Sequence, residues 1–146
     1  MLCTDPAERG RRKMQIDVTN AKEMGREVNT HDSVLEEFRF DRKEKRLYMV
    51  ISDTYPCARI RSITCHQVIG FAMTAGDYWG PSSRINGLAF VEGAEKTLTA
   101  RLLSLWSGDR SIVCPLGDDP ERYIEMVIEF ISGDLLRVVC ERIVIA

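Results

Sequence analysis

No run of apolar residues in this 146-residue chain comes near the roughly 20 needed to cross a bilayer as a helix. The longest, such as Leu47 to Ile51, are far shorter, and they exclude a transmembrane helix. The opening Met1 to Lys13 has no apolar stretch of the kind a secretory signal needs, because Asp5, Glu8, Arg9, Arg11, Arg12 and Lys13 interrupt it. The expectation is a cytoplasmic protein. The five cysteines, Cys3, Cys57, Cys65, Cys114 and Cys140, are odd in number and form no CxxC pair. Most sit in apolar, strand-like context, where a reduced thiol packs as a small hydrophobe, so the reading is against a disulfide framework.

Other signatures are missing too. The glycines form neither GxGxxG nor GxxxxGK, which excludes the usual backbone cradles for phosphate. No GxSxG elbow surrounds a serine, and two histidines, His31 and His66, leave few ways to build a nucleophile–base pair. The net charge is only −2, and the first thirteen residues hold four basic and two acidic groups. That leaves 16 basic against 20 acidic residues from Met14 onward, a net of −4. A mildly acidic body lacks the concentrated cationic face that duplex binding requires, so no nucleic-acid partner is expected.

What the chain does contain is alternation. Hydrophobic residues at 45% and charged residues at 29% place it among folded globular domains, and its length suits one core. Met1 to Lys13, with Pro6, Gly10 and mixed charge, reads as a flexible leader, with Met14 as an alternative first residue; residues 14–146 read as a single globular domain. Met14, Ile16 and Val18 alternate with polar residues as in a short strand, and Asn20 to Glu27 reads as a turn or one loose helical turn. Val34 to Phe40 and Leu47 to Ser52 form a hairpin about the charged segment Asp41 to Arg46, and Arg59 to Cys65 resumes with β-branched residues.

His66 to Thr74 carries apolar or small residues on both faces and reads as a central strand, with Gly70 and Ala72 permitting close approach of another element. Ile85 to Val91 is the returning strand. Leu98, Leu102, Leu105 and Trp106 recur at helical spacing, which predicts one amphipathic helix over Ala94 to Trp106 ended by Gly108. Ile112 to Cys114 is a short strand by composition. Tyr123 to Ile131 and Leu135 to Ile145 are the arms of a final hairpin turning at Ser132-Gly133-Asp134. The expected fold is mainly β: a curved antiparallel sheet forming a sandwich or partial barrel of about seven or eight strands, with the helix packed over one side or end.

The segment richest in contact chemistry is Asp77-Tyr78-Trp79-Gly80-Pro81-Ser82-Ser83. Tyr and Trp on a Gly-Pro turn offer large area with a polar tip; alternatively, Trp79 plugs one end of the core while Asp77 and Pro81 shape the corner. Phe71 and Met73 lie on one face of the preceding strand and, with Trp79, are the residues that would line an apolar pocket for a small molecule. Cys65 and His66 are adjacent, so on a strand they point to opposite faces and do not ligate one metal ion with Cys57. Asp118-Asp119 with Glu121, and Glu125 with Glu129, are carboxylate sets read as turn and solvent-face residues. Arg39, Arg42, Lys43, Lys45, Arg46, Arg59 and Arg61 cluster about the first hairpin, as edge protection or as a patch for an acidic partner.

Val68-Ile69-Gly70-Phe71-Ala72-Met73-Thr74, followed by Asp77-Tyr78-Trp79-Gly80-Pro81-Ser82, resembles a stretch in small uncharacterised bacterial single-domain proteins, with similarity reaching back to Phe38-Arg39-Phe40-Asp41 and Arg46-Leu47. The resemblance implies a bacterial origin and a shared fold, and carries over no catalytic residue. The leading expectation is a non-enzymatic binding protein, regulatory or immunity-like, contacting its partner through Asp77, Tyr78, Trp79 and Pro81. The alternatives are a carrier with an apolar pocket near Phe71, Met73 and Trp79, and a hydrolase-like enzyme using His66 with Asp77 or Glu129. Neither cofactor nor metal is expected, and a homodimer through the long apolar strand Leu136 to Ile145 is.

Overall fold

A computed structural model of the chain describes residues 13–54, 57–108, 116 and 119–146. The expected leader, Lys13 apart, and the short strand at Ile112 to Cys114 lie outside these. The described residues form nine strands in two antiparallel sheets, with two α-helices and no closed barrel. The first sheet has the order β1 (Met14–Ile16), β9 (Arg142–Ile145), β4 (Arg59–His66), β3 (Arg46–Asp53), β2 (Val34–Asp41). The second runs β5 (Gly70–Met73), β8 (Leu135–Cys140), β7 (Ile124–Phe130), β6 (Ile85–Val91).

The register explains the core. Met14, Ile145, Ile63, Met49 and Phe38 are successive cross-strand neighbours, and Ile16, Ile143, Cys65, Leu47 and Phe40 form the next such row. Because alternate residues point to opposite faces, both rows face inward, where they meet Met126, Ile128, Phe130, Leu136, Val138 and Cys140 of the second sheet. Helix α1 (Ala21–Glu27) runs seven residues where a turn or one loose helical turn was expected, with Ala21 buried and Gly25 close against Phe90 of β6. Helix α2 (Thr97–Ser107) covers the outer face of the second sheet, packing Leu98, Leu102, Leu103 and Trp106 around Val139, Tyr123 and Leu116.

Several expectations change here. His66 to Thr74 is not one central strand. β4 ends at His66, Gln67 takes φ of +53°, and the chain crosses to the second sheet as β5, an edge strand. The apolar second face of that segment is covered by α2 instead: a Cβ at Gly70 would fall 2.6 Å from Leu102 Cδ1. Likewise Leu135 to Ile145 breaks at Glu141, with β8 in one sheet and β9 in the other. Both are interior strands with neighbours on each side, so the long apolar arm has no free edge with which to pair a second copy.

The helix starts three residues later than predicted, after a 3₁₀ turn at Gly93–Glu95, and Leu105 is 63% exposed instead of joining the buried stripe. Glu125 is not on a solvent face. It is fully buried under α2, where Oε1 accepts from the Thr99 amide and hydroxyl, both at 2.8 Å, and Oε2 accepts from Arg137 Nη1 at 2.7 Å. The carboxylate supplies from a neighbouring strand the N-terminal cap that Lys96, preceding the helix, does not provide. Finally, Cys65 and Cys140 are free and buried as expected, whereas Cys57 is disulfide-bonded.

Candidate functional site

The segment from Thr74 to Arg84 leaves edge strand β5, passes the β7–β8 turn and returns as β6 at the opposite edge of the same sheet. A connection of this length with no strand or helix of its own needs other partners for its backbone. One side chain provides most of them. Asp134, almost fully buried in the β7–β8 turn, accepts from Thr74 Oγ1 at 2.7 Å, the Gly76 amide at 2.8 Å, Ser132 Oγ at 2.8 Å and the Asp77 amide at 3.1 Å.

Around this carboxylate the loop is closed further. The Trp79 amide donates to the Ser132 carbonyl at 3.0 Å, the Gly80 amide to the Asp77 carbonyl at 2.9 Å, and the Thr74 amide to the Leu135 carbonyl at 3.0 Å. Asp77 itself sits at φ +49°, a left-handed conformation that Asp tolerates better than most residues. The hydrogen bonds of Asp134, that of the Thr74 hydroxyl foremost, hold its carboxyl below the usual carboxylate range against the opposing pull of burial.

The result is a platform. Tyr78 is 67% exposed, its ring against Gly76, and Trp79 is 76% exposed. The indole lies on the β7–β8 turn: a Cβ at Gly133, which has φ +87°, would fall 3.0 Å from Trp79 Cε3. Trp79 therefore does not plug the core. Pro81 is exposed beyond it, and Ser82 Oγ accepts from the Arg84 amide at 3.1 Å, a turn-closing role.

The other sequence candidates separate. Phe71 packs edge-on against Phe38 and on Phe40, with ring centroids 5.6 and 4.9 Å apart. Met73 lines a hollow of about 210 Å³ with Ala72, Leu98, Arg101, Leu135 and Arg137; Phe71 and Trp79 are not among its walls. That volume is below the 300 to 1,000 Å³ typical of small-molecule sites. His66 lies on the outer face of the first sheet, while Glu129 belongs to the second sheet and Asp77 to the loop beyond it. Among the described residues no group of three or more His, Cys, Asp or Glu is arranged to hold a metal ion.

Sequence reading missed Asp134, which builds the loop, and treated it only as part of a turn. The available signal was the Ser132-Gly133-Asp134 triplet facing a loop with several unpaired amides. Because its pKa is lowered on folding, Asp134 lends stability that is fully present above its unfolded value of about 3.9 and is lost as pH falls through the folded one. Protection of the Gly76, Asp77 and Trp79 amides, measured against the intrinsic exchange rate at each pH, is therefore expected to hold from neutral pH down to about 4 and to fall only in stronger acid. Loss of protection above pH 5 would contradict this role.

These features define a class: a two-sheet antiparallel β protein with one outer helix, presenting an aromatic loop pinned to a hairpin turn. No known family model matches the chain, and no curated protein matches it. Among solved structures, it is similar to the crystal structure of an uncharacterized protein from Neisseria gonorrhoeae, at 15% identity over 92% of this chain and 97% of that one, with a TM-score of 0.47.

Proposed function

We propose that this chain is a non-enzymatic binding protein whose Tyr78–Trp79 loop is the contact surface for a protein partner. The observation that carries the reading is the combination at Trp79: an indole 76% exposed, on backbone already ordered by Asp134. Exposed aromatics are the side chains that contribute most at protein interfaces, and a pre-ordered loop avoids the entropy cost of fixing it on binding. A regulatory or neutralising role, in which the chain covers a site on its partner, suits a rigid protruding loop. No helix of the described residues is long and apolar enough to cross a membrane.

Trp79→Ala is expected to leave stability within about 0.5 kcal/mol of wild type, as for exposed substitutions generally, and to abolish partner capture. Wild-type and Trp79→Ala baits, both shown folded by circular dichroism, would be compared by quantitative mass spectrometry of recovered proteins. Identical recovery would refute the proposal. So would a large loss of stability, which would make Trp79 structural.

A further inference from the structure

The outer face of the first sheet is left uncovered by both helices: α1 packs on β6, and α2 on the outer face of the second sheet. Asp41 opposes Arg46 and His66 opposes Arg142, and continuing the β3–β4 register one residue past Leu47 and Cys65 sets Arg46 beside His66, in one row on the face opposite the core. The next row holds Arg39, Tyr48, Thr64 and Val144, with the Arg39 guanidinium 5.1 Å above the Tyr48 ring. Arg42 and Lys43, exposed in the adjoining turn, complete an open groove with Arg39, Phe40, Asp41, Arg46, Tyr48 and Thr64.

Like charges on directly opposed strands are unfavourable, yet His66 lies between Arg46 and Arg142. The nearby carboxylates are held by other partners. Glu141 is engaged by Arg122, Nε to Oε1 at 2.6 Å, and Asp41 is turned to the Lys43 and Glu44 amides, each at 3.0 Å. Glu37 stands 3.9 Å from Arg39. Arg59 and Arg61, which the sequence grouped with this cluster, point inward to Asp53 and do not contribute.

We propose that this face binds an acidic segment of a protein partner, its carboxylates bridging Arg46 and Arg142 across His66. Strands lie about 4.8 Å apart, so the two arginines stand roughly 10 Å apart, within reach of long acidic side chains two residues apart on one face of an extended chain, whose own separation is about 7 Å. A long polyphosphate or nucleic acid is disfavoured by the chain's net charge of −2, which opposes an extended polyanion while a short acidic segment meets only the local field. The surface is separate from the Tyr78–Trp79 loop and is tested with different residues.

Partial burial, Arg142 and Arg46 together hold His66 below the ordinary imidazole value. Charged or titratable groups face it from β3 (Arg46) and β9 (Arg142), with Asp41 of β2 beyond Arg46. A bound carboxylate reverses that balance, so binding raises the His66 pKa and takes up a proton. The full chain would be titrated by NMR at the histidine ring protons with and without poly-L-glutamate, His31 serving as the internal control.

The expected result is an upward shift at His66 and not at His31, reduced by added salt, with Arg46→Gln/Arg142→Gln binding about tenfold more weakly. Both arginines are exposed, so the double variant keeps the wild-type Tm, and the wild-type titration stands without it. An unmoved His66, or equal affinity of the folded double variant, overturns the proposal. A shift produced by polyphosphate or single-stranded DNA but not by poly-L-glutamate overturns the acidic-protein occupant.

Discussion

Asp53→Ala is expected to lower folding stability by about 3 to 5 kcal/mol, the usual consequence of removing one partner from a buried ion pair. The Asp53 side chain is 5% exposed at the end of β3, with Arg61 Nε 2.7 Å from Oδ2 and Arg61 Nη2 2.8 Å from Oδ1. Arg59 pairs with the same carboxylate, Ser33 donates its hydroxyl to it, and Arg61 also reaches the Asn29 carbonyl at 2.6 Å. Without Asp53, the buried Arg61 guanidinium loses its counter-charge where little water reaches it, Arg59 stays partly hydrated, and the loop at Asn29 and Ser33 loses its tie to the sheet. Urea unfolding would show a lower midpoint at an unchanged slope. A difference under about 1 kcal/mol would mean that the arginines swing into solvent at little cost.

Glu125→Ala is expected to cost about 3 kcal/mol, less than Asp53 because Arg137 is a quarter exposed and partly hydrated. Its distinctive effect is local. The amides of Leu98 and Thr99, at 3.3 and 2.8 Å from the carboxylate, are the unsatisfied donors of the first turn of α2. Their exchange protection should fall before that of the β7–β8 ladder. Glu125→Gln keeps one acceptor but turns an amide donor toward either Arg137 or Thr99, and should recover part of the loss. Equal exchange at Leu98 and Thr99 in wild type and Glu125→Ala would rule out the capping role.

Much of the fold was legible because strand alternation is a local property. Leu47, Met49 and Ile51 face inward, as do Met126, Ile128 and Phe130, where two-residue periodicity put them. The failures fall where one strand continues into another. At Gln67 and at Glu141 the chain changes sheet without a glycine or proline at the break, and alternation on either side reads as one long element. Glu125 misled for a related reason. Its alternation with apolar neighbours was correct, but the face it occupies is roofed by α2, whose Thr99 lies 26 residues earlier in the chain.

The candidate loop was legible as a loop, and its aromatic residues as contact candidates, from composition alone. Whether Trp79 plugged the core or projected from the surface was not. That was settled by Gly133, whose missing side chain leaves room for the indole on the hairpin turn, and by Asp134, whose carboxylate binds amides more than fifty residues away.

Taken alone, the amino-acid order determined the predominance of strands, the inward and outward sets along each one, and the position of the single long helix, because each follows from spacing between near neighbours. Tertiary structure decided which strands share a sheet, where the chain crosses between sheets, and which charges are buried in pairs. The Arg46–His66–Arg142 row exists only because register brings together residues of three separate strands. Such outcomes depend on contacts between distant segments, and those are selected by the packing of the whole core.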